Sequence, residues 1–383
     1  MSKNNLNAWK IPLYKIYTDD EDVKILTQIV KRGTQWAIGP EIEEFENSIK
    51  NYVKSDYCVT LNSGTSSLHA TFLASGFGKA DELIIPSFSF ISTANAVLFV
   101  GANPVFSEIE EETFGLDPNL IQGKITDKTK AVVPMDYAGM SSKIFEINEI
   151  AKSNNLLVIE DAAEGLGSSV KQTKTGSNSD AAIFSFCGNK VLTTGEGGAV
   201  VTNSKELYEK IKSIRSHGRT DRINYFDNTA QSNYLELGYN WRMSSITAAL
   251  GISQIQKLDK LIAMRKQNAQ YLSNHLSKFK EITLPIPPSG YEHIYQMYTI
   301  RLSNKQKRDQ LHEHLIKKRI FSKIYFSPIH LTDFYKEKLK MDVKLPITEN
   351  ISDQVLTLPL YPNMTMDEKK YLVDSVAEFF EEE

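Results

Sequence analysis

Cysteine is scarce in this 383-residue chain. Only Cys58 and Cys187 are present, too far apart to suggest a disulfide framework or a metal clip, so both read as reduced thiols of a cytoplasmic protein. Net charge is close to absent as well. A balance of -3 leaves no basic field to hold nucleic acid or an anionic membrane, which points to a small-molecule partner. No apolar run approaches the ~20 residues needed to span a bilayer, and the opening MSKNNLNAWK lacks the apolar core of a signal peptide. The histidines show no metal-ligand spacing: His312 and His314 stand two apart on a predicted helix and point in different directions, so no metal is expected. Neither G-x-G-x-x-G nor G-x-x-x-x-G-K-[ST] occurs, and there is no repeat or low-complexity tract.

What is present is alternation. Strand-like runs at 57–61, 83–85, 104–106, 131–133 and 156–159 alternate with helical spacing through Leu68 and Phe72, over 94–100 and over 143–152. This predicts an α/β fold whose mostly parallel sheet is covered by helices on both faces, with ligands beyond the carboxyl ends of the strands. Upstream, residues 19–30 and 41–53 are amphipathic, the second carrying Phe45, Ile49 and Val53 on one stripe. Between them Trp36 sits in the loop GTQWAIGP, where its indole either covers a ligand or pins the loop. Downstream, 217–239 reads as a flexible loop and 245–279 as one long helical region. The IPPSG cluster from Ile286 marks a boundary, beyond which 295–302, 320–326 and helices over 305–318 and 367–380 suggest a small α+β domain. The expected division is 1–250, a large domain with its N-terminal segment, and 251–383, a linking helix with the small domain.

One stretch concentrates chemistry. In AAIFSFCGNKVLTTGEGGAV (181–200) a strand delivers Lys190 into a turn of small residues and a second strand leaves it. The glycines permit close approach of a flat molecule, and a confined amine loses its proton more easily and attacks a carbonyl. The plain alternative is a solvated lysine on a surface hairpin. Asp161 ends the apolar run in VIEDAAEGLGS, either as a helix cap or as a carboxylate that keeps a pyridine nitrogen protonated. Asn62-Ser63-Gly64-Thr65-Ser66-Ser67 lies between a strand and a helix start, suited to a phosphate monoester or to a plain cap. Ser185 offers another hydroxyl, and Phe90 is either a stacking surface or a core aromatic. Cys187 reads as a small buried hydrophobe. Together these supply an imine-forming amine, a pyridinium partner, a phosphate cradle and a stacking face, the set that pyridoxal phosphate requires.

The chain resembles the sugar aminotransferases of the DegT/DnrJ/EryC1/StrS family, within the aspartate aminotransferase fold (fold type I). The resemblance rests on WAIGPEIEEFE, NSGTSSLHA, PSFSFISTANAV, VIEDAAEGLGS, SFCGNKVLTTGEGGAVVTN, GYNWRMSSITAALG, SPIHL and LPLYP, eight motifs in order along nearly the whole chain. It implies that Lys190 holds pyridoxal 5'-phosphate (PLP, alternating with its PMP form) as an internal aldimine and that Asp161 pairs with the ring nitrogen. Gly64, Thr65 and Ser185 then bind phosphate, Phe90 covers the ring, and Asn240 reaches the phosphate of a neighbouring subunit in a homodimer. Trp36, Tyr325 and His330 fall where relatives line the sugar or nucleotide cleft. Glu164, where others have glutamine, resembles the enzymes acting at C4 of a 4-keto-6-deoxy sugar. The implied reaction moves an amino group from L-glutamate to a nucleotide-linked keto sugar. A PMP-dependent dehydratase of the same fold is opposed by Lys190 where such enzymes carry histidine. A non-catalytic nucleotide-sugar sensor is opposed by the intact Lys190 and Asp161, and a cysteine desulfurase by the lack of a loop thiol.

Overall fold

The structure, a computed structural model, describes residues 9–219 and 233–381. In chain order the elements are α1 (Asp20–Arg32), α2 (Pro40–Val53), β1 (Tyr57–Leu61), α3 (Gly64–Ala74), β2 (Glu82–Pro86), α4 (Ser92–Phe99), β3 (Asn103–Ser107), α5 (Pro118–Ile121) and β4 (Thr129–Val132). There follow α6 (Ile144–Ser153), β5 (Leu157–Asp161), β6 (Ser169–Val170), β7 (Thr173–Lys174), β8 (Ala181–Ser185), β9 (Gly198–Thr202), α7 (Lys205–Ile214), α8 (Ser245–Gln256) and α9 (Leu258–Leu276). The chain ends with β10 (Tyr291–Glu292), β11 (Tyr298–Arg301), α10 (Lys305–Lys317), α11 (Pro346–Gln354), β12 (Val355–Leu358) and α12 (Met366–Glu381).

Among the described residues the largest sheet has the order β1-β9-β8-β5-β4-β2-β3. Every strand in it runs the same way except β9, which pairs antiparallel with both β8 and β1. The cause is the connection. A parallel return needs a crossover of a dozen or more residues, usually a helix; between Ser185 and Gly198 the chain forms none, so it turns back beside itself. β8 and β9 are almost wholly apolar and buried on both faces, as a sheet sandwiched between helices demands. The register then sets the site, since Asp161 lies opposite Ile183, while Gly198 faces both Ser185 and Leu61. The carboxyl ends of β1, β5 and β8 therefore meet at one edge.

The expected single helix over 245–279 is two helices. Lys257 leaves helical geometry at φ -107°, ψ 6°, and its ammonium bridges Asp19 and Asp22 of the α1 start, so the bend follows contacts from the far end of the chain. α9 serves two cores: Leu258, Leu261 and Ile262 pack beneath the large sheet, whereas Ala269, Leu272 and Leu276 pack with β11, β12, α10 and α12. The run 320–326 is not a strand of that smaller region, where it contributes isolated bridges at Ile320 and Lys323; β12 is the partner of β11. No helix among the described residues is long and apolar enough to cross a membrane.

Candidate active site

Lys190 stands in the β8–β9 connection. Its Nζ lies 3.1 Å from Glu164 Oε1, and the other carboxylate oxygen of Glu164 accepts the Ala138 N–H at 2.9 Å. Ala138 sits in a turn at φ +57°. Glu164 is 6% exposed, so this ion pair is shielded from screening by bulk water. Cys187 is only half-buried, its thiol beside Glu196 Oε1 at 3.7 Å. It is not a core residue, because the chain has already left β8 at that point.

Asp161, 3% exposed, accepts the Thr93 hydroxyl at 2.6 Å and the Ala163 N–H at 3.3 Å. Burial pushes its carboxyl up, while these two hydrogen bonds and the Lys190 charge draw it back. A cation placed against it would favour the carboxylate further. Asp161 closes β5, which pairs with β8, the strand that leads into the Lys190 turn, and the Lys190 charge acts on it.

At the edge beside β8, Ser63 caps α3 in a reciprocal box with Ser66, leaving the N–H groups of Gly64 and Thr65 in the first turn, where no intrahelical acceptor exists. A Cβ on Gly64 would fall 3.0 Å from Ser185 Cβ, and one on Gly198 would fall 2.4 Å from the Ser63 carbonyl oxygen. Glycine at both positions is what lets the helix start, the β8 hydroxyl and β9 converge. Helix N–H groups plus a hydroxyl form an anion cradle; with an amine and a buried acid beside it, the donor set fits pyridoxal phosphate.

Phe90 is 58% exposed in the turn between β2 and α4, with its ring 6.5 Å from that of Phe326. The core-aromatic alternative is thereby set aside. Trp36 is 45% exposed, yet its indole N–H donates to the Ile29 carbonyl at 3.0 Å, so it pins its loop and still shows a face to solvent. Tyr325 is half-buried, and its carbonyl accepts the Tyr137 hydroxyl at 2.6 Å. Asn240 is exposed on a backbone run that lies along β1, where the Asn62 N–H donates to the Trp241 carbonyl at 2.9 Å. Most of the expected loop at 217–239 lies outside the described residues.

His330 does not line a cleft. It is 1% exposed, with Nδ1 at 2.6 Å from Ser87 Oγ and Nε2 at 3.3 Å from Glu349 Oε1. The series Ser87–His330–Glu349 has the composition of a nucleophile relay, but Ser87 is fully buried and no substrate reaches it. It is a staple between the end of β2 and the 328–331 turn. The residues that sequence reasoning missed are Ile294 and Gln296, which join Glu164, Ser185 and Lys190 around the base of the hollow. Their one signal was a lone amide in the apolar run IYQMYTI.

Fold and site together define a pyridoxal-phosphate-dependent sugar aminotransferase of fold type I. The profile of the DegT/DnrJ/EryC1/StrS aminotransferase family matches residues 17–377. The chain is 32% identical over 370 residues to GDP-perosamine synthase of Escherichia coli O157:H7, covering 97% of this chain and 98% of that one. It superposes on PseC of Helicobacter pylori, an aminotransferase of pseudoaminic acid biosynthesis, with TM-score 0.91 and 28% identity over 97% of this chain and 100% of that one. NtdA of Bacillus subtilis with bound cofactor PMP superposes with TM-score 0.86 and 28% identity, over 95% and 83% of the two chains. The chain belongs to the DegT/DnrJ/EryC1/StrS aminotransferase family.

Proposed function

We propose that this enzyme transfers an amino group from L-glutamate to C4 of a nucleotide-linked 4-keto-6-deoxyhexose. It acts in the cytoplasm as a homodimer in which Asn240 of each subunit serves the other's phosphate site, and residues 251–383 form its second domain. The observation that carries the reading is the Lys190 amine 3.1 Å from a sealed carboxylate, with its charge acting on the buried Asp161. Bound pyridoxal phosphate supplies the electron sink and the temporary amine carrier.

The residues of the chain divide the remaining work. Lys190 would hold the cofactor through its nitrogen, and Glu164 beside it is placed to accept the proton that nitrogen must lose. The same amine would move a proton at the substrate carbon, a general acid-base role worth ~10²–10⁴ in rate. Asp161 would keep a proton on the cofactor's ring nitrogen. Gly64, Thr65 and Ser185 would hold the phosphate, Phe90 would cover the ring, and Trp36 and Tyr325 would border the sugar. The choice of C4 is supported by the acid at position 164, and the nucleotide by the likeness to a synthase named for a GDP-sugar.

The test is a panel of keto nucleotide-sugars incubated with the holoenzyme and glutamate, read by mass spectrometry as conversion of a ketone to a primary amine. Amination of a 4-keto-6-deoxy member is expected. Conversion of glutamate to its 2-oxo acid with no sugar in the panel aminated would overturn the substrate reading.

A further inference from the structure

The peptide that carries Lys190 is held at both ends. Its N–H donates to the Cys187 carbonyl at 3.0 Å, and the carbonyl of Asn189, the other half of the same plane, accepts the side-chain amide of Gln296 at 2.8 Å. Gln296 is 5% exposed and comes from more than a hundred residues downstream. It has its own anchor. The buried Arg265 gives Nη1 to the carbonyls of Tyr295, Gln296 and Leu360 at 3.0, 3.4 and 3.2 Å, and burial pulls this guanidinium down to about 10. A buried cation whose Nη1 meets three main-chain carbonyls fixes the backbone on either side of Gln296.

The same segment braces the other half of the ion pair. Ile294 N–H donates to the Gly139 carbonyl at 2.9 Å and Met297 N–H to the Ala138 carbonyl at 3.2 Å, in the turn whose Ala138 N–H holds Glu164. There is no slack in this contact, since a Cβ on Gly139 would lie 2.5 Å from Ile294 Cγ1 and 2.9 Å from the Gln296 nitrogen. Residues 294–297 thus fix both the plane from which Lys190 springs and the turn that presents its carboxylate. A lysine side chain is long and flexible, so the tilt of its parent peptide sets where the amine can reach. A misplacement of 1 Å at a reacting centre costs on the order of 10²-fold in rate.

We propose that Gln296 is a positioning residue for amino transfer, which aims Lys190 by donating to the Asn189 carbonyl. The inference rests on the assignment of Lys190 as the reacting amine. It is tested with two variants of the holoenzyme. Gln296→Met keeps the length and fills the space but has no N–H to give; kcat is expected to fall roughly 10- to 100-fold, with both KM values within about twofold of wild type and cofactor uptake by the apoprotein, followed by its visible absorbance, slowed in step. Gln296→Glu can donate only while its carboxyl is protonated, so its activity relative to wild type is expected to be highest in acid and to drop below the Met variant as pH rises. Packing alone gives no such limb. If the Met variant does not fold, the pH profile of the Glu variant decides. A Met variant with wild-type kcat and uptake, or a Glu variant whose relative activity is flat with pH, overturns the inference; if Lys190→Ala is inactive at the same time, the Lys190 assignment survives it.

Discussion

Lys257 and Lys190 are both half-buried and both make ion pairs, and they differ in how much of each amine is used. Lys257, at the joint between α8 and α9, meets two carboxylates, Asp22 Oδ2 at 3.0 Å and Asp19. Asp22 in turn gathers the Gln254 amide at 3.1 Å and the Asp19 N–H at 3.0 Å. Burial pushes the Asp22 carboxyl up, but the nearby Ser253 hydroxyl, the Asp19 N–H, Lys257 and Gln254 take it below its ordinary value. The network is closed. Lys190, with three donors available, has the single carboxylate of Glu164 and otherwise faces a hollow bordered by Ser185 and Ala163. The chemistry of the two pairs is the same, and what distinguishes the one proposed to react is the hydrogen-bonding capacity left over. A buried salt bridge by itself is weak testimony to stability or to function; its unfinished side is the informative part.

The sharpest way to break this contrast is to remove each amine in turn. Lys190→Ala is expected to lower turnover by at least ~10⁴-fold and to abolish the borohydride-reducible absorbance, with far-UV circular dichroism unchanged. Appreciable turnover in that variant would falsify the assignment. Lys257→Met should show the opposite pattern, with turnover per folded molecule retained and stability reduced by roughly 3 kcal/mol, because Asp22 is left as an uncompensated buried charge. The pH dependence has a definite sign. The folded-state pKa of Asp22 is lowered, so its contribution is present above the unfolded value of ~3.9 and is lost as pH falls through the folded one. The gap between wild type and Lys257→Met in urea midpoints should therefore narrow in acid. A gap that widens in acid would contradict the network.

The same contrast explains what was legible in the sequence. Asp161, Gly64, Ser185 and Lys190 could be placed together because each closes or follows a strand of one sheet, and a parallel sheet collects its carboxyl ends at one edge. Local pattern was enough for that. It was not enough for the break at Lys257, since helical spacing continues through the residue and the bend depends on Asp19, brought there by tertiary packing. His330 was misplaced for a similar reason: its motif, SPIHL, says nothing of Ser87, which folding brings to its ring from the end of β2. β12 went unassigned because the apolar run 355–358 follows α11 with no turn residue to separate them. Gln296 was lost inside a strand-like run, although an amide among apolar and aromatic neighbours must find a partner when buried.

Trp36 offers the smallest and most discriminating test, because its loop touches both kinds of network. α1 begins at the Lys257 cluster and ends at Arg32, whose guanidinium binds Glu41 and the carbonyls of Thr34 and Gln35. The Trp36 carbonyl accepts the Ser245 N–H at 2.9 Å, so the loop backbone is held without help from the indole. Trp36→Ala therefore forfeits one hydrogen bond, about 1 kcal/mol of stability, and leaves the loop in place. A ring needed only as a pin would have no reason to keep an open face. The expected outcome is a severalfold rise in KM for the nucleotide-sugar, matching the ~0.5–1.5 kcal/mol of an aromatic contact, with KM for the amino donor unchanged. If stability falls and neither KM moves, the indole belongs with Lys257 among the closed contacts, and the sugar must be held by other residues.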